Sequence, residues 1–199
     1  MARRIKEEPT VHRERIATAA GDLFKERGTT KVTVNQIADR AGYSKATVYA
    51  YFENKDEIIS YLVLKSMALL KKEIVKNTSK TKSNQENFMG ICRGLLKYHE
   101  KFPMYFDMLQ SNINVDFSDN KYYESELDTY IVGRQITDYL ADLFNLGDDS
   151  FIKIFAMWAS ICGVIRMAAN KEEYIQKESS MSQKDFYNAI FEIMYKVIE

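Results

Sequence analysis

The chain reads as all-α. Its apolar residues recur at three- and four-residue spacing and nowhere alternate over the length of a strand. Only two prolines and eight glycines interrupt 199 residues, and three N-cap signatures fall between Thr33 and Glu57. The predicted architecture is a three-helix helix-turn-helix domain over 1–54 and a helical domain over 55–199, with a linking helix over 55–76.

Met1 to Pro9 is a charged tail, whose Arg3, Arg4 and Lys6 read either as solvated or as long enough to reach a minor groove. Ile16, Ala19, Ala20, Leu23 and Phe24 follow helical spacing, and Gly28 ends that first helix. Thr33-Val-Asn-Gln36 fits a capping box and starts the second helix, whose Val34, Ile37, Ala38 and Ala41 share a face. Gly42 stands where a tight turn needs positive φ. Ser44 caps a third helix, Lys45 to Tyr51, with Val48 and Phe52 four apart and turned back to the core. Asn54 caps the linking helix, and Asp56 and Glu57 favour the positive end of its dipole.

Beyond it, Asn77 to Asn84 reads as a loop and Gln85 to Glu100 as a helix broken at Phe102-Pro103. Pro103 opens a short helix to about Ser111, and Asn112 to Lys121 is a loop. Tyr122 to Asn145 reads as a long helix stopped near Gly147, Ser150 to Ala169 as the most apolar helix, and Gln183 onward as the last, capped by Ser182.

The third helix offers Lys45, Thr47, Tyr49 and Tyr51, with small Ala46 and Ala50 between them. No acidic residue occurs from Arg40 to Phe52. A surface for polyphosphate needs that absence, since each carboxylate would repel the backbone. Ser44 adds a hydroxyl at a helix N-terminus, which favours phosphate, and small side chains let a helix sit deep in a major groove where methyl groups meet thymine.

Residues 13 to 59 resemble the N-terminal DNA-binding domain of the TetR family of bacterial transcriptional regulators. The matching runs are A-x-x-L-F-x-x-x-G at Ala20 to Gly28, T-V-x-x-I-A-x-x-A-G at Thr33 to Gly42 and V-Y-x-Y-F-x-N-K-x-E at Val48 to Glu57. The resemblance implies phosphate contacts at Thr33, Tyr49, Tyr51 and Lys55, and base reading at Asn35, Lys45, Ala46 and Thr47, with Lys45 suited to guanine and Asn35 to adenine. For Tyr49 and Tyr51 the plain alternative is packing between helices, and for Thr33 a cap alone.

It also implies a homodimer through 150–169 and 183–199, whose paired helices cross a two-fold axis so that two reading helices meet a palindromic operator. Phe151, Ile154, Phe155, Trp158, Ile161, Cys162 and Ile165 give the first of these helices a broad apolar face, to which Ala156, Ala159, Ser160 and Gly163 add close-approach positions. Phe186, Ile190, Phe191, Met194, Val197 and Ile198 do the same on the last helix. Those faces serve the core of one chain as well.

Twenty of the 25 aromatic residues and eight of the nine methionines lie beyond residue 60, a composition that suits either an adaptable apolar pocket or a plain core. The family's small-molecule effector implies a pocket, with Phe102, Tyr105, Phe106, Leu109, Trp158 and Met167 as its candidate lining. Arg166 and Asp107 are isolated charges among apolar neighbours, read as ion-paired, solvent-reaching or ligand-contacting.

Charge is balanced: residues 1–60 carry 11 Lys and Arg against 9 Asp and Glu, and the rest 17 against 19. A DNA binder need only concentrate its cations on one face. Cys92 and Cys162 lack metal-ligand spacing and read as reduced, buried thiols of a cytoplasmic protein, a disulfide being the alternative. No apolar run approaches the ~18–20 residues of a membrane span, so no membrane partner is expected. No cofactor is expected either.

Ser79-Lys-Thr-Lys82 and Ser118-Asp119-Asn120 match two motifs of serine β-lactamases, but the third, Lys-Thr-Gly, is absent and no sheet is predicted to carry them. His12 and His99 have no nucleophile or ligand cluster around them in sequence. The expected function is a dimeric, ligand-released repressor. A DNA-binding protein without a small-molecule inducer, or remotely a carrier or enzyme for an apolar molecule, stands as the alternative.

Overall fold

Capping side chains set where several of the helices begin. In the computed structural model, which describes residues 7–110 and 129–198, all regular secondary structure is helical. The order is α1 (Pro9–Arg27), α2 (Val34–Ala41), α3 (Lys45–Tyr51), α4 (Lys55–Asn77), α5 (Asn84–Lys101), α6 (Pro103–Met108), α7 (Thr129–Leu143), α8 (Ser150–Asn170), α9 (Glu172–Ser179) and α10 (Gln183–Ile198). Thr33 and Gln36 form the expected reciprocal box at α2, Ser44 accepts from the Thr47 amide at α3, and Asn54 accepts from the Glu57 amide at α4. Gly42 ends α2 at φ 72°, and the Tyr43 amide reaches back to the Ala38 carbonyl, which closes the α2–α3 turn.

The chain divides into two compact units. One holds residues 1–67 and 107–132, the other 68–106 and 133–199. In the first, Ile16, Ala20, Leu23, Phe24, Ile37, Ala38, Val48 and Phe52 are buried together with Val32, Ile58 and Leu62. In the second, α5, α8 and α10 pack on one another around Ile91, Leu95, Ile161, Ile165 and Phe191. Cys92 and Cys162 are buried there as free thiols. Burial pushes both thiols up, Cys162 to about 12, so neither ionises near neutrality.

Several expectations need correction. A helix, α9, occupies Glu172–Ser179, where none was expected. Only Tyr174 and Ile175 of its eight residues are apolar and neither is buried, too few to mark a helix in sequence; Glu172 and Glu173 in its first turn and Lys177 in its last match the helix dipole. α5 starts earlier than expected because Ser83 and Glu86 form a capping box. The turn after α7 is made by Asn145 at φ 52°, with the Leu146 amide on the Ala141 carbonyl, ahead of Gly147. By length and composition α8 is apolar enough to cross a membrane, although Lys153 and Arg166 interrupt it. The expected loop over residues 112–121, the first turns of the helix expected from Tyr122, and the Ser118-Asp119-Asn120 motif lie outside the described residues.

Within the second unit, Gly90 and Gly94 of α5 face the last turn of α4. A Cβ at Gly90 would collide with the Asn77 carbonyl oxygen, whereas one at Gly94 would sit 3.5 Å from the Asn77 amide nitrogen, an ordinary contact. Asn87 fixes the connecting loop by accepting from the Ser79 amide and donating to the Ser79 carbonyl. Helix propensity alone favours alanine over glycine by roughly 0.5–1 kcal/mol. Steric overlap with backbone opposes it and costs about 1–3 kcal/mol. Gly90→Ala is therefore expected to lower the urea midpoint and Gly94→Ala to leave it level or raise it; a stabilised Gly90→Ala variant would contradict the close α4–α5 contact.

Candidate nucleic-acid interface

α3 has only seven residues and cannot hold its shape alone. Three buried residues hold it. Val48 and Phe52 bury its inner face, and Arg13 of α1 takes its last carbonyl: Nη1 of Arg13 donates to Tyr51 O at 2.8 Å. The same guanidinium pairs with Glu57 of α4 at 3.1 Å, and the two side chains are only 2% and 4% exposed. Its carbon lies 4.2 Å from the Phe52 ring centroid and 5.2 Å from that of Tyr61. The second Glu57 oxygen accepts from the Glu53 amide at 2.6 Å. One buried ion pair thus joins α1, the end of α3 and the start of α4. Its signal in sequence is the position of Arg13, three and four residues before Ile16 and Ala17 on the core face of α1.

The outer face of α3 is polar and free of acids. Lys45, Ala46, Tyr49 and Ala50 are exposed, Tyr49 by 47%, while Thr47 and Tyr51 are half-buried. The Lys45 ammonium sits 5.8 Å from the Tyr49 ring centroid, one helical turn away. The Thr47 hydroxyl lies 2.8 Å from Ser44 Oγ, so in the free chain both belong to the cap. Thr33 and Asn35 are exposed at the start of α2, and Thr33 is at once a cap. Lys55 is half-buried, and its ammonium donates to the carbonyls of Thr29 at 2.9 Å and Val32 at 3.1 Å. It braces the connection between α1 and α2 and keeps one of its three N–H donors.

Three residues not assigned to this face in sequence lie beside it. His12 stacks on Tyr51 with ring centroids 5.0 Å apart and planes at 22°, and its Nδ1 lies 2.7 Å from the Tyr43 hydroxyl. Arg15 donates to the same hydroxyl at 2.7 Å. His12 and Arg15 are three apart, hence on one side of α1, but their partners lie some thirty residues on, and no local pattern announces them.

On α1, Glu14 accepts from the Tyr61 hydroxyl at 2.6 Å and from Lys65 of α4. Burial raises its carboxyl pKa, but the Lys65 and Tyr61 hydrogen bonds outweigh that and leave it lowered.

The candidate effector residues are spread. Phe102 and Tyr105 have centroids 6.1 Å apart, Tyr98 lies 5.4 Å from Phe102, and Phe106 is buried with His99 edge-on to it. These belong to the second unit, whereas Leu109 falls in the first. Trp158 is half-buried on α8 and Met167 is 64% exposed. Asp107 and Arg166 are both exposed. Ser79 and Lys82 form part of a turn, with Ser79 Oγ on Thr81 and Lys82 Nζ on the Asn77 carbonyl.

Comparison with known proteins agrees with this geometry. The family model described as bacterial regulatory proteins, tetR family, matches residues 16–62. An HTH-type transcriptional regulator of Staphylococcus aureus strain USA300 is 23% identical over 142 residues, which cover 71% of this chain and 72% of that protein. Among solved structures, a tetR-family regulatory protein from Rhodococcus RHA1 superposes with a TM-score of 0.63 at 14% identity, covering 94% and 96% of the two chains. The fatty acid degradation regulator FadR from Bacillus halodurans does so with 0.58 at 14% identity, covering 95% and 96%.

Two outcomes follow. Arg13→Met leaves a buried carboxylate unpaired and is expected to cost about 3–5 kcal/mol in urea unfolding, with Arg13→Met/Glu57→Gln costing less than the two single losses together; a loss below about 1 kcal/mol would contradict the role given to the pair. Glu14 has a lowered pKa, so its contribution is present above the ordinary carboxyl value of 4.5 and fades as pH falls through the folded value. Glu14→Gln should therefore flatten the acid limb of the stability curve below that pH, and an unchanged limb would contradict the assignment.

Proposed function

This chain belongs to the TetR family of bacterial regulatory proteins and is a DNA-binding transcriptional regulator, and we propose that it acts as a dimeric cytoplasmic repressor released from a palindromic operator by a small apolar or amphiphilic ligand. The observation that carries the DNA-reading part is the acid-free outer face of α3, held by its cap and by Arg13. In this reading Lys45, Ala46 and Thr47, with Asn35, meet base edges, and Thr33, Ser44, Tyr49, Tyr51 and the remaining N–H of Lys55 meet phosphates. α3 spans roughly 10 Å, short enough to lie within one major groove. The domain boundary for this role is residue 54, with 55–199 forming the effector and dimerisation domain.

Dimerisation rests on the exposed faces of α8 and α10. Phe151, Ile152, Phe155 and Met167 are all more than 60% exposed on α8, flanking exposed Ala156, Ala159, Ser160 and Gly163. On α10, Ile193 and Val197 are exposed as well. Apolar side chains flanking a run of small residues suit a close helix pair, and a two-fold operation makes the patch its own partner. Light scattering should give twice the chain mass, and Ala159→Glu should give a monomer of unchanged helicity. A monomeric parent chain would remove the palindrome from the account.

The ligand is assigned to the aromatic cluster of Phe102, Tyr105 and Phe106 in the second compact unit. Release then requires that the ligand prefer the conformation that binds DNA poorly, and DNA must weaken the ligand by the same factor. Fatty acids are natural first probes, because FadR, a fold neighbour, is a regulator of fatty acid degradation. On a duplex carrying the preferred site, one member of a panel of apolar amphiphiles should weaken binding by about 5–150-fold, and Tyr105→Ala should reduce that response. Affinity unchanged at saturation across the panel would leave a DNA-binding regulator controlled by something other than such a ligand. Lys45→Ala should cost about 1–3 kcal/mol and relax one operator position; equal loss on every sequence would make Lys45 a phosphate contact instead.

A further inference from the structure

The segment just before α1 carries an acid beside a reading face that has none. Glu7 lies in irregular backbone, and its carboxylate forks onto Arg15: Oε2 is 3.2 Å from Nη1 and Oε1 is 3.4 Å from Nη2. Oε2 is also 3.9 Å from His12 Nδ1. The same guanidinium nitrogen of Arg15 donates to the Tyr43 hydroxyl at 2.7 Å, and that hydroxyl is 2.7 Å from His12 Nδ1. Arg15, His12 and Tyr43 therefore form one polar cluster around an acidic side chain.

The cluster touches both ends of α3. Tyr43 immediately precedes the cap Ser44, and His12 stacks on Tyr51, the last residue of the helix. We propose that Arg15, positioned by Tyr43 and His12, is a further phosphate-binding site for the DNA backbone, and that Glu7 occupies it in the free protein as a carboxylate stand-in. The proposal rests on the DNA-reading assignment above.

A carboxylate and a phosphate present the same pair of acceptor oxygens to the guanidinium fork. The occupant is weakly held. Arg15 and Glu7 are 47% and 46% exposed, and ion pairs of that exposure contribute little net stability. A DNA phosphate brings counterion release that Glu7 lacks. Because Glu7 precedes the first turn of α1, it can leave without unwinding the helix. The Tyr43 hydroxyl, itself held by His12, still accepts from Arg15 when the carboxylate has gone.

The test is the salt dependence of affinity for a duplex recovered by selection, measured on the full chain and on Glu7→Ala, Arg15→Gln, Arg15→Lys and the Glu7→Ala/Arg15→Gln pair. Arg15→Gln should weaken binding about tenfold and reduce the slope of log affinity against log salt by about one. Arg15→Lys should keep that slope and lose part of the affinity, because the charge remains and the fork does not. Glu7→Ala should tighten binding up to about fivefold, the scale of a surface ion pair, and the gain should vanish in the double variant.

Glu8→Ala is the control for simple neutralisation, since Glu8 makes no side-chain cap to α1. An equal gain from Glu8→Ala, or an unchanged slope in Arg15→Gln, would overturn the site. A parent chain that binds no duplex selectively would instead overturn the DNA-reading assignment. A parent that binds, loses affinity on Lys45→Ala and ignores Glu7 and Arg15 would overturn this site alone.

Discussion

A single buried ion pair, Arg13 with Glu57, decides whether the reading helix exists as a defined surface. α3 is too short to be helical by itself, and its inner face offers only Val48 and Phe52 to the core. The guanidinium of Arg13 satisfies the Tyr51 carbonyl, covers Phe52 and neutralises Glu57, which in turn takes the Glu53 amide. Burying two charges is costly, and the interaction is worthwhile only because almost every polar atom involved finds a partner. An apolar pair of similar volume would fill the space but would leave the Tyr51 carbonyl and the Glu53 amide without these partners. The pair therefore determines where α3 stops and where α4 starts, which is a geometric task more than a stabilising one.

That constraint explains the division of labour on α3. With its inner face and both ends held from within, the helix can leave Lys45, Ala46, Tyr49 and Ala50 in solvent without losing its shape. The polar residues that cap α2 and α3 are also assigned to phosphates: Thr33 and Ser44 each satisfy a backbone amide in the free chain. Lys55 likewise holds two carbonyls between α1 and α2. Groups already fixed by structural hydrogen bonds lose little further freedom when they meet a ligand, which favours a preorganised surface.

Local chemistry made the first unit legible in sequence. The boundaries of α2 and α3 follow from Thr33, Gly42 and Ser44, because a cap acts within three or four residues. The Ser83 and Glu86 box is of the same kind and was readable in principle. Other features were not local. Arg13 meets Glu57 across 44 residues, His12 meets Tyr43 across 31, and neither pairing leaves a spacing to detect. α9 buries none of its residues and offers only Tyr174 and Ile175 as apolar positions, too few to mark a period. For α8 an interrupted run concealed an average apolarity of membrane-spanning level, since Lys153 and Arg166 break the run without changing the mean enough. The assignment of aromatics to an effector site was the least legible, because the same residues fill any helical core.

The central claim, that two copies of α3 read a symmetric site, is tested most directly by selecting bound sequences from a random duplex pool with the purified protein at near-physiological salt. The account predicts an enriched inverted repeat with half-sites one helical turn, about 34–36 Å, or a multiple of it apart. A single half-site, or only salt-sensitive binding with no enriched sequence, would contradict it.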